Sequence, residues 1–146
     1  MSENGKLARA ALERGRFGSL GVLEPESGWP YVSLANYACG EDGLPVFLFS
    51  SLARHTQCLL KDGRAGLLVA ELPTQGDALA GLRATFVGAM ARVDATHAKA
   101  PYLAKHPYAA GYAEFGDFSF WKLTPTFIHV VGGFGRIETV KAELVF

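Results

Sequence analysis

Seven consecutive residues, Ser50-Ser51-Leu52-Ala53-Arg54-His55-Thr56, hold three hydroxyls, a guanidinium and an imidazole. The run before them, Phe47-Leu48-Phe49, reads as the end of a strand, and the residues onward to Leu60 return at helical spacing. A strand that turns into a helix points backbone N–H groups and the positive end of a dipole at whatever sits there. Nearby fixed cations strengthen the preference for an anion. The segment therefore reads as a phosphate-binding corner. The same residues also suit a plainer role, with Ser51 as an N-cap and Arg54 and His55 on a solvated helix face.

Other chemistry-bearing residues give weaker signals. The histidines are His55, His97, His106 and His129, and no His-x-x-x-His pair occurs among them, so a metal site has little support. His97 and His106 read as solvated or capping residues. Ser33, Ser50 and Ser51 lack the Gly-x-Ser-x-Gly context of a hydrolase nucleophile. No side chain stands out as a general acid or base, which suits redox work better than hydrolysis. Asp117, between Gly116 and Phe118, reads either as a turn cap or as a ligand contact. Trp29 reads as core or as a ring contact. Cys39 and Cys58 match no metal spacing and read as free thiols.

These residues need a scaffold, and the hydrophobic periodicity predicts one. Residues 6–14 read as a helix ended by Gly15. Residues 18–23, 31–38 and 44–49 read as strands, with Gly40-Glu41-Asp42-Gly43 as the hairpin turn between the last two. A helix over 52–61 and a strand over 65–70 follow, then a loop over 75–81. The long run 82–93 reads as one strand bent or bulged at Gly88. Residues 95–105 and 107–113 read as short helical pieces limited by Pro101 and Pro107. Strands over 118–123 and 127–131, joined by Thr124-Pro125, complete the pattern. The result is a mainly β (α+β) chain, a closed or partly closed antiparallel barrel of six to seven strands with short flanking helices. No repeat, linker or low-complexity tract divides it, so residues 1–146 read as a single domain.

Composition narrows the function classes. Apolar residues make up 49% of the 146 and charged ones only 19%, the balance of a globular chain that buries about 70% of its unfolded surface. The 14 cationic side chains match the 14 anionic ones. Such a chain offers no broad field for nucleic acid or an acidic membrane. A neutral, rather apolar chain is also a candidate for self-association. No run of 18 apolar residues occurs, and no signal peptide is seen, so a cytoplasmic protein is expected.

Several blocks taken together are more specific than any one of them. They are Ser50 to Thr56 with Leu59, Arg64-Ala65-Gly66-Leu67-Leu68, Tyr102 to Pro107, Phe115 to Phe118, Trp121-Lys122-Leu123, and His129 to Arg136. In order and spacing the chain resembles the pyridoxamine 5′-phosphate oxidase-like family of FMN-binding split barrels, and most of all its haem iron utilisation branch. The resemblance implies a homodimer with FMN at the subunit interface. It assigns the flavin phosphate to Ser50, Ser51, Arg54, His55 and Thr56, and the ring to the strand backbone at Ser33, Leu34, Ala35 and Asn36. It places Trp121, Gly133, Phe134 and Arg136 of the second subunit over the ring.

The chemistry of those types is compatible with that assignment. A phosphate close to two negative charges suits the fork of Arg54 and a donor nitrogen of His55. Glycines let a chain approach a flat ligand closely. The departures also matter. A lysine is expected where His55 stands, and residues 31–38 hold no lysine or arginine, so vitamin B6 oxidation is not expected. The haem-utilising relatives carry a further C-terminal histidine segment, whereas the last histidine here is His129. The leading expectation is an FMN-dependent oxidoreductase with a nicotinamide donor. Haem binding or breakdown, with His129 or a partner's histidine on the iron, is the first alternative, and a flavin-binding module without turnover is the second.

Overall fold

The computed structural model describes residues 1–133 and 135–146, so Phe134 lies outside the described residues. Helix α1 (Glu3–Arg14) is followed by strands β1 (Phe17–Leu23), β2 (Pro30–Asn36), β3 (Ala38–Cys39) and β4 (Pro45–Ser50). Then come α2 (Arg54–Lys61), β5 (Arg64–Glu71), β6 (Leu82–Arg92), α3 (Ala95–Lys105), β7 (Phe118–Gly132) and β8 (Ile137–Lys141). Short 3-10 turns occupy Ala78–Ala80, Pro107–Gly111 and Ala142–Leu144. All the pairings are antiparallel, in the order β2-β1-β5-β6-β7-β4-β3, with β8 added beside the second half of β7.

The expected strand 31–38 is in fact two, and the break closes the barrel. Buried Tyr37 leaves the ladder, donating its N–H to the Arg16 carbonyl (3.0 Å) and its hydroxyl to the Leu12 carbonyl (2.7 Å). Before it, β2 pairs with β1; after it, β3 pairs with β4. The two ends of the strand order are thus consecutive in the chain. The sheet curls until they meet without a ladder between β2 and β4, which is a split barrel. Its interior holds Leu20, Phe47, Leu67, Phe86, Leu123, Ile128 and Val130, with Ala8 and Leu12 of α1 packed in. A second cluster lies outside β4, where Ala98 and Tyr102 of α3 cover Leu48 and Phe120.

Residues 118–132 form one strand, not the two expected around Thr124-Pro125. Gly88 faces Pro125 and Val87 faces Phe127, so Thr126 is an extra residue in a bulge. Proline lacks the donor a regular ladder needs, and a bulge is where that omission is tolerated. Before the bulge Trp121 and Leu123 face inward, and after it Ile128 and Val130 do. The inward parity therefore changes from odd to even numbers.

Helix α3 spans the expected 95–105 with Pro101 inside it, where packing of Ala98 and Tyr102 offsets the missing hydrogen bond. Two smaller expectations shift. Helix α2 begins at Arg54, because the Ala53 N–H turns back to the Ser50 carbonyl (3.2 Å) and keeps residues 51–53 in a turn. The polar β8 was not expected at all; it is a five-residue edge strand that only β7 holds.

A Cβ at Gly88 would strike the Thr124 carbonyl oxygen and lie 2.6 Å from the Pro125 Cα, both backbone atoms. Gly88→Ala should therefore destabilise by about 1–3 kcal/mol. A denaturation midpoint equal to that of the parent protein would show that the bulge yields freely.

Candidate functional site

The corner after β4 forms, but its charge is largely spent within the chain. Ser50 Oγ donates to Asp117 Oδ2 (3.1 Å) and accepts from the Leu52 N–H (3.1 Å). The Ser51 N–H donates to the Asp117 carbonyl (2.7 Å), so Asp117 fastens the corner to the start of β7. Arg54 Nε donates to Glu24 Oε1 at 2.6 Å, and its guanidinium lies 5.4 Å from the centre of the Tyr31 ring. That hydrogen bond and charge raise the Arg54 pKa further. Two carboxylates, Glu24 and Asp117, thus flank the place where a phosphate dianion was expected. Like charge at that range opposes a second anion.

Deeper in, polar groups lack partners. His55 is half-buried with its ring 4.2 Å from the Phe49 ring, and burial pushes its pKa down. Its Nε2, the Thr56 hydroxyl and the Ser33 hydroxyl are, among the described residues, the buried side-chain polar atoms without a hydrogen bond. All three belong to the set assigned from sequence. Such groups cost stability unless water or a ligand reaches them. Ala53 is the N-cap of α2 and offers it no side-chain hydrogen bond.

The rest of the assigned set is dispersed. Strand β2 is an edge, paired only with β1: Leu34 is 70% exposed, Ala35 is buried, and Asn36 Nδ2 donates to the Tyr108 hydroxyl (3.1 Å). Trp121 corrects an expectation. It is 3% exposed, packs toward Phe49 in the core and donates its indole N–H to Ser119 Oγ (3.0 Å), so its side chain offers no cover for a ligand. Gly133 (φ +62°) and exposed Arg136 sit in the turn from β7 to β8, at the far end of β7 from the corner. One chain cannot bring both ends of β7 to the same ligand. Phe134 was assigned there too and lies outside the described residues.

What sequence reading missed is the outer face of the sheet. Leu34, Ser19, Leu68, Thr85, His129 and Thr139 form one row in register across six strands. Val32, Gly21, Gly66, Val87, Phe127 and Lys141 form the next. Glycines at 21 and 66 leave a trough of ≈ 500 Å³ that Gly88, Pro30, Arg64 and Phe127 also line, with no carboxylate in its lining. Leu34, Val32 and Leu68 stay exposed. One row from the trough stands His129, half-buried, its Nδ1 2.8 Å from Thr139 Oγ1. The odd-numbered run Phe127, His129 and Val131 was the available signal. The glycines are scattered in sequence and meet only through register.

Over residues 1–146 the chain matches the family described as CREG, beta-barrel. The chain belongs to this family. That membership, with the split barrel just described, agrees with the resemblance to the pyridoxamine 5′-phosphate oxidase-like proteins and their haem-utilising branch. This CREG-type chain is 39% identical over 109 residues, 73% of its length, to the chloroplastic heme oxygenase HOZ of Arabidopsis thaliana. It spans about a third of that relative's length (33%). The solved heme binding protein of Mycobacterium smegmatis superposes with a TM-score of 0.90 at 29% identity, covering 99% of this chain and 60% of that one. HutZ, the heme storage protein of Vibrio cholerae, superposes at 0.61 with 18% identity over 80% of this chain and 86% of its own, a likeness of fold alone. Among the described residues no helix is long and apolar enough to cross a membrane, and no group of three or more His, Cys, Asp or Glu could hold a metal ion.

His55 gives the site a pH signature. Its folded pKa lies below that of the unfolded chain, about 6.5, so the unfolded chain takes up the proton first as pH falls. The stabilisation is full above that pH and declines below it. Melting temperatures should fall between about pH 7 and about pH 5, and fall less in His55→Phe. Equal slopes for the two proteins would remove His55 as the cause.

Proposed function

We propose that this protein binds haem on the outer face of its split barrel, as a haem-binding or haem-degrading member of its family. The observation that carries the reading is the apolar trough at Gly21, Gly66 and Gly88, whose lining holds one cation, Arg64, and no carboxylate. Haem is flat and apolar with two anionic propionates, so it suits such a surface. Arg64 lines the trough with its guanidinium bonded to Asp62 (2.7 Å to Oδ2), and Lys141 lies directly opposite Phe127 in register. The names of two relatives, a heme oxygenase and a heme binding protein, support the same ligand. When bound, haem iron supplies one-electron and oxygen chemistry. The chain's own residues seat the macrocycle, pair with its carboxylates and keep water from its faces.

The FMN reading fits less well. Arg54 is engaged by Glu24 and Ser50 by Asp117, so the corner offers a dianion few free donors and two repelling charges. One observation still favours it: the orphaned His55, Thr56 and Ser33 atoms lie within the assigned flavin set. A nicotinamide-driven flavin reaction is the second reading for that reason.

A second copy of the chain is the proposed cover for the outer face. Val32 (63% exposed) and Leu34 (70%) would otherwise keep large apolar side chains in water.

Ferric haem added to the purified protein should give a saturable Soret change at micromolar concentration, and added FMN should not bind. Saturable FMN binding without a haem spectrum would reverse the order of the two readings. Loss of the Soret band in air with ascorbate would add breakdown to binding. By light scattering the parent protein should be a pair and Leu34→Asp a single chain; a parent protein of one chain would remove the twin cover.

A further inference from the structure

We propose that the trough recognises the flat ring and one acidic edge of its ligand and makes no bond to a metal, with Gly21 and Gly66 as the floor and Arg64 as the anchor for the acid. The inference rests on the haem reading above and adds which part of that molecule the chain recognises.

The hollow at the centre of the trough is one that the fold does not require. Gly21 on β1 faces Gly66 on β5 in register, with Val32 beyond one and Val87 beyond the other. Neither glycine has a positive φ. A Cβ at Gly21 would meet only the Gly66 carbonyl oxygen, at 3.8 Å, and one at Gly66 would meet nothing closer than 3.9 Å. Gly18, on the same strand as Gly21, differs: its Cβ would lie 2.5 Å from the Leu68 carbonyl oxygen. A glycine inside a strand weakens it and packs nothing, so a branched side chain at 21 or 66 would serve the sheet better. What the two glycines do is bare the backbone between Val32 and Val87 across the strands, and between Arg64 and Leu68 along β5. Three strand spacings, or four residues along a strand, are each about 14 Å. A flat ring laid on the sheet fits that shape, and close approach of a ligand is what such glycines permit.

The anchor follows from how Arg64 is held. It is the one cation in the trough lining. Its Nε donates to Asp62 Oδ1 (3.1 Å) and its Nη2 to Asp62 Oδ2 (2.7 Å), and among the described residues Nη1 makes no hydrogen bond. Asp62 thus fixes the plane of the fork and leaves the Nη1 edge open. The Arg64 side chain is 76% exposed, so its pair with Asp62 is screened by water and weakly held. A carboxylate on the edge of the ligand can share the guanidinium through that open edge. A fork already facing one carboxylate has room for one more and not for two, which sets the preference at a single acid contact. Nothing in the trough lining suits iron: among the described residues it holds no histidine, cysteine, methionine or tyrosine, the side chains that hold haem iron. Ring and acid are therefore what the trough can distinguish.

The experiment titrates ferric haem, metal-free protoporphyrin IX and the dimethyl ester of that porphyrin into the parent protein, Arg64→Gln and Gly66→Val, followed at the Soret band. Thermal melts check that each variant is folded, and light scattering gives its oligomeric state. The parent protein should bind the metal-free acid as tightly as ferric haem, and the ester more than about tenfold more weakly. Arg64→Gln should bind the acid as weakly as the parent protein binds the ester, with ester binding unchanged. Gly66→Val should melt at or above the parent temperature and bind acid and ester alike more than about tenfold more weakly. Saturable binding of ferric haem without binding of the metal-free acid would overturn the inference while leaving the haem reading intact. Equal affinity of the parent protein for acid and ester would overturn the anchor. A Gly66→Val protein that binds as the parent does would overturn the floor, and one that loses binding only by becoming a single chain would give the hollow to a second copy instead. A parent protein that binds none of the three would overturn the haem reading as well.

Discussion

One extra residue in one strand, Thr126, decides which side chains this barrel shows to the outside. Alternation in a strand has a period of two, so inserting a single residue exchanges the faces of everything beyond it. Trp121 and Leu123 face the core on one side of the bulge, and Ile128 and Val130 on the other. Without it His129 would point into the core and Ile128 into water. The bulge depends in turn on Gly88, where the crossing backbone of Thr124 and Pro125 leaves no room for a Cβ. Proline 125, which would break a regular ladder, sits where the ladder is already interrupted.

The same strand ties the two ends of the molecule together. Its first residues pair with β4 and anchor the Ser50 corner through Asp117, while its last ones pair with β8 and hold His129 against Thr139. The corner and the outer face compete as ligand sites, and electrostatics separates them. At the corner a guanidinium is already paired with Glu24 and a hydroxyl is bonded to Asp117. On the outer face the trough lining holds no carboxylate; Arg64 lines it while bonded to Asp62, and Lys141 stands opposite Phe127. A dianionic ester meets two carboxylates at the first, whereas the second presents an apolar surface to a flat ligand.

Most strands were legible in the sequence because their signal is local. Residues 44–49, 65–70 and 82–93 are apolar runs bounded by turn residues, and the structure gives strands 45–50, 64–71 and 82–92. Gly88 announced its bend because a glycine inside a strand has few other uses. Residues 31–38 read as one strand because periodicity cannot show that Tyr37 leaves the ladder to bond Leu12 and Arg16. Strand β8 was invisible because Ile137 to Lys141 is short, polar and held only by its neighbour.

The sequence by itself determined the family, the antiparallel barrel and the chemical types at the corner, because motif order and hydrophobic spacing are properties of neighbours along the chain. It also singled out His55, Thr56 and Ser33, the residues whose buried polar atoms have no partner. Only the tertiary structure decided what those types can do. Glu24 lies thirty residues from Arg54, and Asp117 meets Ser50 only through the pairing of β4 with β7. Gly21, Gly66 and Gly88 form one trough only through the register of three strands. Charge pairing and register join residues far apart in the chain, and spacing along the sequence carries no record of either.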